Sequence, residues 1–133
     1  MSVQTARHLG ISIDRPIEEV YGFLAEPRNF PKWAEGLGHG FEHIEGMTFM
    51  AQTPMGKMRV LFSEPNPYGV LDHAVIPESG AAMHNPMRAV ANGGGSEVVF
   101  TLYRRPEMSD DDFARDADWI TSDLRRLKAL LEG

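Results

Sequence analysis

The last quarter of the sequence constrains the fold most. Phe113, Ala117, Ile120, Leu124, Leu127 and Leu131 recur at intervals of 4, 3, 4, 3 and 4, one continuous apolar stripe at helical spacing. Ser109 ahead of Asp110, Asp111 and Asp112 supplies a cap and negative charge where a helix gathers its unpaired N–H groups. Arg125, Arg126 and Lys128 lie toward the opposite end. At ~1.5 Å per residue such a helix is about 35 Å long, enough to cross a whole sheet. A stripe of that length needs an equally long apolar surface to cover it.

The residues upstream read mainly as strands. In 7–14, Leu9, Ile11 and Ile13 alternate with His8, Ser12 and Asp14, the pattern of a half-buried strand. Asp14-Arg15-Pro16 then starts a helix carrying Ile17, Val20, Tyr21 and Leu24, which Pro27 closes. A short stretch with Phe30, Pro31 and Trp33 ends in Gly36, Gly38 and Gly40. Six further strands are expected at 41–45, 47–53, 57–64, 70–77, 83–92 and 97–104, parted by Gly and Pro turn signals. Connections this short join antiparallel neighbours. Pro86, inside one expected strand, predicts a bulge or an irregular edge. The predicted fold is therefore α+β, a single domain over residues 1–133. A curved seven-stranded antiparallel sheet wraps around the long C-terminal helix, with one or two short helices between strands 1 and 2. Sheet and helix leave room between them, and that room is the expected functional site.

Composition excludes several functions. There is no Cys, so disulfides, thiol catalysis and thiolate metal sites are out, and a reducing cytoplasm is the default compartment. A net charge of -6 argues against nucleic acid or an anionic membrane as the main partner. No apolar run reaches the ~20 residues that span a bilayer, so stable membrane insertion is not expected. The first residues lack the apolar stretch of a signal peptide.

Turn centres give a trial register. Centring the 65–69 turn on Pro67 sets Phe62 opposite Asp72, Val60 opposite Ala74 and Met58 opposite Ile76. Centring the next on Ser79 sets Ala74 opposite His84 and Val70 opposite Arg88. Centring the glycine turn on Gly94 sets Val90 opposite Val98 and Arg88 opposite Phe100. One face then carries Met58, Val60, Phe62, Val90, Val98 and Phe100 together with Asp72, His84 and Arg88; the other carries His73 and Asn85. Three polar groups on an apolar concave wall need partners. Either Arg88 meets a ligand oxygen while Asp72 and His84 orient it or exchange protons, or Asp72 and Arg88 pair with each other and staple neighbouring strands. Phe30 and Trp33 roof the expected cavity, and Ile120 faces it from the terminal helix.

Other groups carry less. His39 and His43 with Glu45 suggest a metal, but the segment is glycine-broken and lacks a further ligand, so no metal site is expected. Adjacent Asp72 and His73 point to opposite faces of a strand and form no dyad. No serine sits in an elbow motif, and Gly93-Gly94-Gly95 opens a strand rather than a phosphate-binding helix. Several of the eight Met residues cluster in or beside strands, as core filling or as the wall of an adaptable pocket. Trp119 lies off the helical stripe, at a flank or at a homodimer contact.

Ile13-Asp14-Arg15-Pro16-Ile17-Glu18-Glu19-Val20-Tyr21, followed by Pro27-Arg28-Asn29-Phe30-Pro31-Lys32-Trp33-Ala34 and the strand-rich middle, resembles the START-like helix-grip superfamily, also called SRPBCC or Bet v 1-like. Within it the chain looks like the small polyketide cyclase/dehydrase-like bacterial proteins. The resemblance spans essentially the whole chain and implies a deep apolar cavity, a small hydrophobic partner and no cofactor. It carries no catalytic set onto this sequence. Three functions stay open: a binder of a lipid- or polyketide-like ligand, a cofactor-independent cyclase, aromatase or dehydratase using Asp72, His84 and Arg88, and a stress or interaction module with a vestigial pocket.

Overall fold

A computed structural model describes residues 2–35 and 40–133. Strand β1 (Ala6–Ile13) leads into helix α1 (Ile17–Ala25), a 3-10 turn (Pro27–Asn29) and the single-turn helix α2 (Phe30–Trp33). Strands β2 (Phe41–Glu45), β3 (Thr48–Thr53), β4 (Gly56–Phe62), β5 (His73–Pro77), β6 (Met83–Asn85), β7 (Met87–Asn92) and β8 (Gly95–Tyr103) follow, and α3 (Asp110–Glu132) ends the chain. The α+β architecture is as expected: a curved antiparallel sheet against one long helix.

The strand count differs because of Pro86. The segment expected as one strand at 83–92 is divided there, its first part pairing with β5 and its second with β8. The ladders are therefore β1-β8-β7 and β2-β3-β4-β5-β6. Proline has no N–H to give a ladder. Its carbonyl accepts the Thr101 N–H at 2.9 Å, so the chain passes from one ladder to the other at this residue. Among the described residues eight strands replace the expected seven. Strand β5 also begins later than expected, and Val70 makes only an isolated bridge to Arg88.

Two turns do not centre where expected, and each inverts a strand. Phe62 pairs with His73, Val60 with Val75 and Met58 with Pro77, so His73 shares the concave face and Asp72 does not. The intervening loop is wound by Asn66: its Oδ1 accepts the N–H groups of Tyr68 and Val70, and its Nδ2 donates to the carbonyls of Glu64 and Val70. Gly69 then runs against β7 at φ +71, where a Cβ would stand 2.0 Å from the Ala89 carbonyl oxygen. Only glycine fits that approach. At the other turn Asn92 pairs with Gly95, leaving the two-residue connection Gly93-Gly94 with Gly93 at φ +58. Met87 and Ala89 therefore face inward opposite Phe100 and Val98, while Arg88 and Val90 face outward. The Ser79-centred register is as read, with Ala74 opposite His84.

The terminal helix is built as its sequence dictates. The Ser109 hydroxyl accepts the Asp112 N–H and the Asp112 carboxylate accepts the Ser109 N–H, a reciprocal cap. Phe113, Ala117, Leu124 and Leu127 are buried against Leu9, Ile13, Val98 and the rest of the core. At its far end Arg15 Nε donates to the Leu131 carbonyl and Lys128 Nζ to the Ser12 carbonyl, tying the β1–α1 corner to the last turn. No described helix is long and apolar enough to cross a membrane.

Candidate functional site

α3 packs mainly on β1 and on α2, and space remains beside its N-terminal half. A cavity of about 490 Å³ lies there. Its concave wall is His73 and Val75 of β5, Met83 and Asn85 of β6, and Phe100 and Leu102 of β8. Phe30 and Trp33 of α2 close one end, and Asp116, Ile120 and Asp123 of α3 form the opposite wall. Met55 and Trp119, both well exposed, stand at the rim.

α2 is held over this space by polar contacts to α3. Arg126 Nη1 donates to the Trp33 carbonyl at 3.0 Å and to Asp123 Oδ1 at 2.9 Å, and Arg126 Nη2 reaches Glu35 at 3.0 Å. Asp123 Oδ1 also accepts the Glu35 N–H at 3.3 Å. Burial raises the Asp123 carboxyl above its usual range, opposed by the hydrogen bonds from Glu35 and Arg126.

His73 is the residue that the sequence reading placed on the wrong face. It is 7% exposed and sits among aromatic rings, with centroids 5.1 Å from Phe30, 6.2 Å from Phe62 and 5.9 Å from Phe100. Its Nδ1 lies 3.3 Å from the Leu71 carbonyl. Burial lowers its pKa to about 4, against smaller raising effects from the Leu71 carbonyl and the neighbouring Asp72. At neutral pH the ring is uncharged. A carbonyl only accepts, so Nδ1 carries the proton and Nε2 the lone pair.

Of the residues expected to face a ligand, Phe30, Trp33, Phe100 and Ile120 line the cavity. Val60 and Met58 are core residues, fully buried or nearly so, and Phe62 packs behind Phe30 at 5.2 Å between ring centroids. Asp72, His84 and Arg88 are not on the cavity wall. Asp72 and His84 border a shallow depression on the convex side, and Arg88 points outward from β7. The physical reason is the pair of register slips above, each of which exchanges faces. Asp72 Oδ1 accepts the Met87 N–H at 2.9 Å and is paired with the Arg88 guanidinium, which also donates to the Met87 carbonyl. This is the strand staple. Both side chains are about half exposed. Asp72→Asn and Arg88→Ala are each expected to lower stability by no more than about 1 kcal/mol in urea unfolding, and to leave any cavity ligand's affinity unchanged.

His39 lies outside the described residues. His43 Nε2 is 2.9 Å from the Gly46 carbonyl, and its ring packs on Phe49. Among the described residues no three His, Asp or Glu side chains converge as a metal-binding group.

No family model matches the sequence. No curated protein matches it either. Solved structures do match in shape. An uncharacterised protein from Bacillus thuringiensis aligns with a TM-score of 0.76 at 12% identity, covering 97% of this chain and all of that one. Ara h 8.0201 aligns with a TM-score of 0.68 at 10% identity, covering 97% of this chain and 98% of that one. DynU16, from the dynemicin biosynthetic locus, aligns with a TM-score of 0.72 at 15% identity; the match covers 96% of this chain and 47% of DynU16. These matches define the fold, a helix grip of curved antiparallel sheet and long C-terminal helix. At these identities the likeness is one of fold.

Proposed function

We propose that the protein binds a small, largely apolar or aromatic molecule in the cavity between the sheet and α3. The observation that carries this reading is the cavity itself. About 490 Å³ of space is walled on one side by Phe30, Trp33, Phe100, Leu102 and Ile120, with His73, Asn85 and charged side chains of α3 among its polar groups. That is the size and character of a small-molecule site. The fold shared with DynU16, a protein in the dynemicin biosynthetic locus, supports extending this reading to a polyketide-like guest. His73 favours binding over acid–base catalysis. An imidazole whose pKa is held near 4 is a weak base at neutral pH, whereas proton transfer is best served by a group that titrates near the working pH.

The test is a fluorescence titration with N-phenyl-1-naphthylamine, a neutral naphthalene dye that brightens in apolar surroundings. Saturable binding to the wild type is expected. Val75→Phe, which adds a ring on the cavity wall, is expected to weaken it at least tenfold while the melting temperature stays within a few degrees. Unsaturable binding, or binding indifferent to Val75→Phe, would overturn the reading.

A further inference from the structure

Resting on that reading, we propose that the cavity selects a neutral or cationic ligand bearing a hydrogen-bond donor, and discriminates against anions, because a buried acceptor, His73 Nε2, faces it and its lining carries more carboxylates than cations. His73 Nε2 has no hydrogen-bond partner among the described residues, although the side chain is more than nine-tenths buried and lines the cavity. The atom is not sealed in by its neighbours, so it borders open space. With Nδ1 directed at Leu71, Nε2 can only accept. Across the cavity, Asp116 has neither an ion pair nor a hydrogen bond among the described residues. Its carboxyl is raised chiefly by burial and secondarily by Asp112, against the opposing pull of Arg105 and Arg115. Asp123 spends Oδ1 on Glu35 and Arg126 and leaves Oδ2 without a described partner.

Four carboxylates line the cavity, Glu107, Asp112, Asp116 and Asp123, against two cations, each of which is paired with one of them. Arg105 Nε lies 2.7 Å from Glu107 and Arg115 Nη1 3.2 Å from Asp112. A carboxylate or sulfonate arriving here meets guanidinium groups already paired with Glu107 and Asp112, and an excess of carboxylate charge that includes Asp116. A phenol, an indole-like N–H or an amine meets acceptors on two sides. Asn85, paired with His73 on the same face, can turn its amide to either role.

Two matched pairs test this at pH 7. Carbazole and dibenzofuran share one tricyclic shape, but only carbazole donates a hydrogen bond. Competing against N-phenyl-1-naphthylamine, carbazole is expected to bind at least fivefold tighter than dibenzofuran, and His73→Phe to abolish that preference. 8-Anilinonaphthalene-1-sulfonate adds a sulfonate to the skeleton of the first dye. It is expected to bind the wild type at least tenfold more weakly than the neutral dye, and Asp116→Asn to shrink that gap at least threefold. Equal binding of carbazole and dibenzofuran to the wild type would overturn the proposal without any variant. So would sulfonate affinity equal to that of the neutral dye. Failure of the neutral dye itself to bind would instead overturn the reading on which the proposal rests.

Discussion

Acidification from pH 7 to pH 4.5 is expected to remove about 2.5 kcal/mol of folding stability through His73 alone. In the unfolded chain the imidazole titrates near 6.5; in the fold, burial among Phe30, Phe62 and Phe100 holds it near 4. Between those values the unfolded chain binds a proton that the folded protein refuses, so stability falls as pH falls. The contribution is complete above pH 6.5 and exhausted near pH 4. Its full size is about 3.5 kcal/mol, at roughly 1.4 kcal/mol per tenfold difference in proton affinity. The charged groups nearby act on other windows. Asp116 and Asp123, raised by burial, hold protons more tightly when folded and so add stability as pH falls through their own range. Glu97, Glu107, Asp112 and Glu132, lowered mainly by hydrogen bonds, lose stability below about pH 4.5. Urea unfolding at half-unit steps from pH 7.5 to 4.5 isolates the His73 window. His73→Gln should flatten it. A slope unchanged by that substitution would assign it to some other group.

The same histidine shows what the sequence could and could not reveal. The 4, 3, 4, 3, 4 stripe from Phe113 to Leu131 and the Ser109 cap defined α3 because helix periodicity and capping are local. The pairing of consecutive strands from β2 to β6, and of β7 with β8, was legible for a related reason, since short connections favour antiparallel neighbours; the passage to a second ladder at Pro86 and the pairing of β1 with β8 were not. The face of β5 was not legible. It depends on whether the loop after Phe62 contains an odd or an even number of residues, and that is decided by Asn66 folding four hydrogen bonds around itself and by Gly69 meeting Ala89. Neither contact is visible as a pattern. One residue of slip sent Asp72 outward to Arg88 and brought His73 inward. At the glycine turn a signal was present: two-residue hairpins are the commoner choice, and Gly93-Gly94 satisfies one. Phe30, Trp33, Phe100 and Ile120 were placed correctly because they rest on whole-element position, or on a strand whose pattern reads the same way without its neighbour's register.

Phe30→Ala is expected to cost about 3–4 kcal/mol and to change the titration of His73. The Phe30 ring is nearly buried. It meets Trp33 and Phe62 edge to face at 5.2 Å each and His73 at 5.1 Å, and it lies 6.4 Å from Phe41. It therefore joins α2 to the strands at the closed end of the cavity. Truncating a buried phenylalanine removes that burial and leaves a hole that neighbours only partly fill, typically ~3–5 kcal/mol. Here the hole adjoins a cavity that already exists, so the vacated volume becomes continuous with it rather than sealed. Solvent then reaches the His73 ring, the burial that lowers its pKa weakens, and the value moves up from about 4 toward 6.5. Two readouts should change together: the midpoint of urea unfolding at pH 7, and the loss of stability between pH 6.5 and 4.5, which should shrink to less than half that of the wild type. Phe30→Leu, which keeps most of the volume, should retain the slope and lose about 1–2 kcal/mol. If Phe30→Ala lowered stability but left the pH slope intact, the low pKa of His73 would have to come from somewhere other than the aromatic enclosure that Phe30 completes.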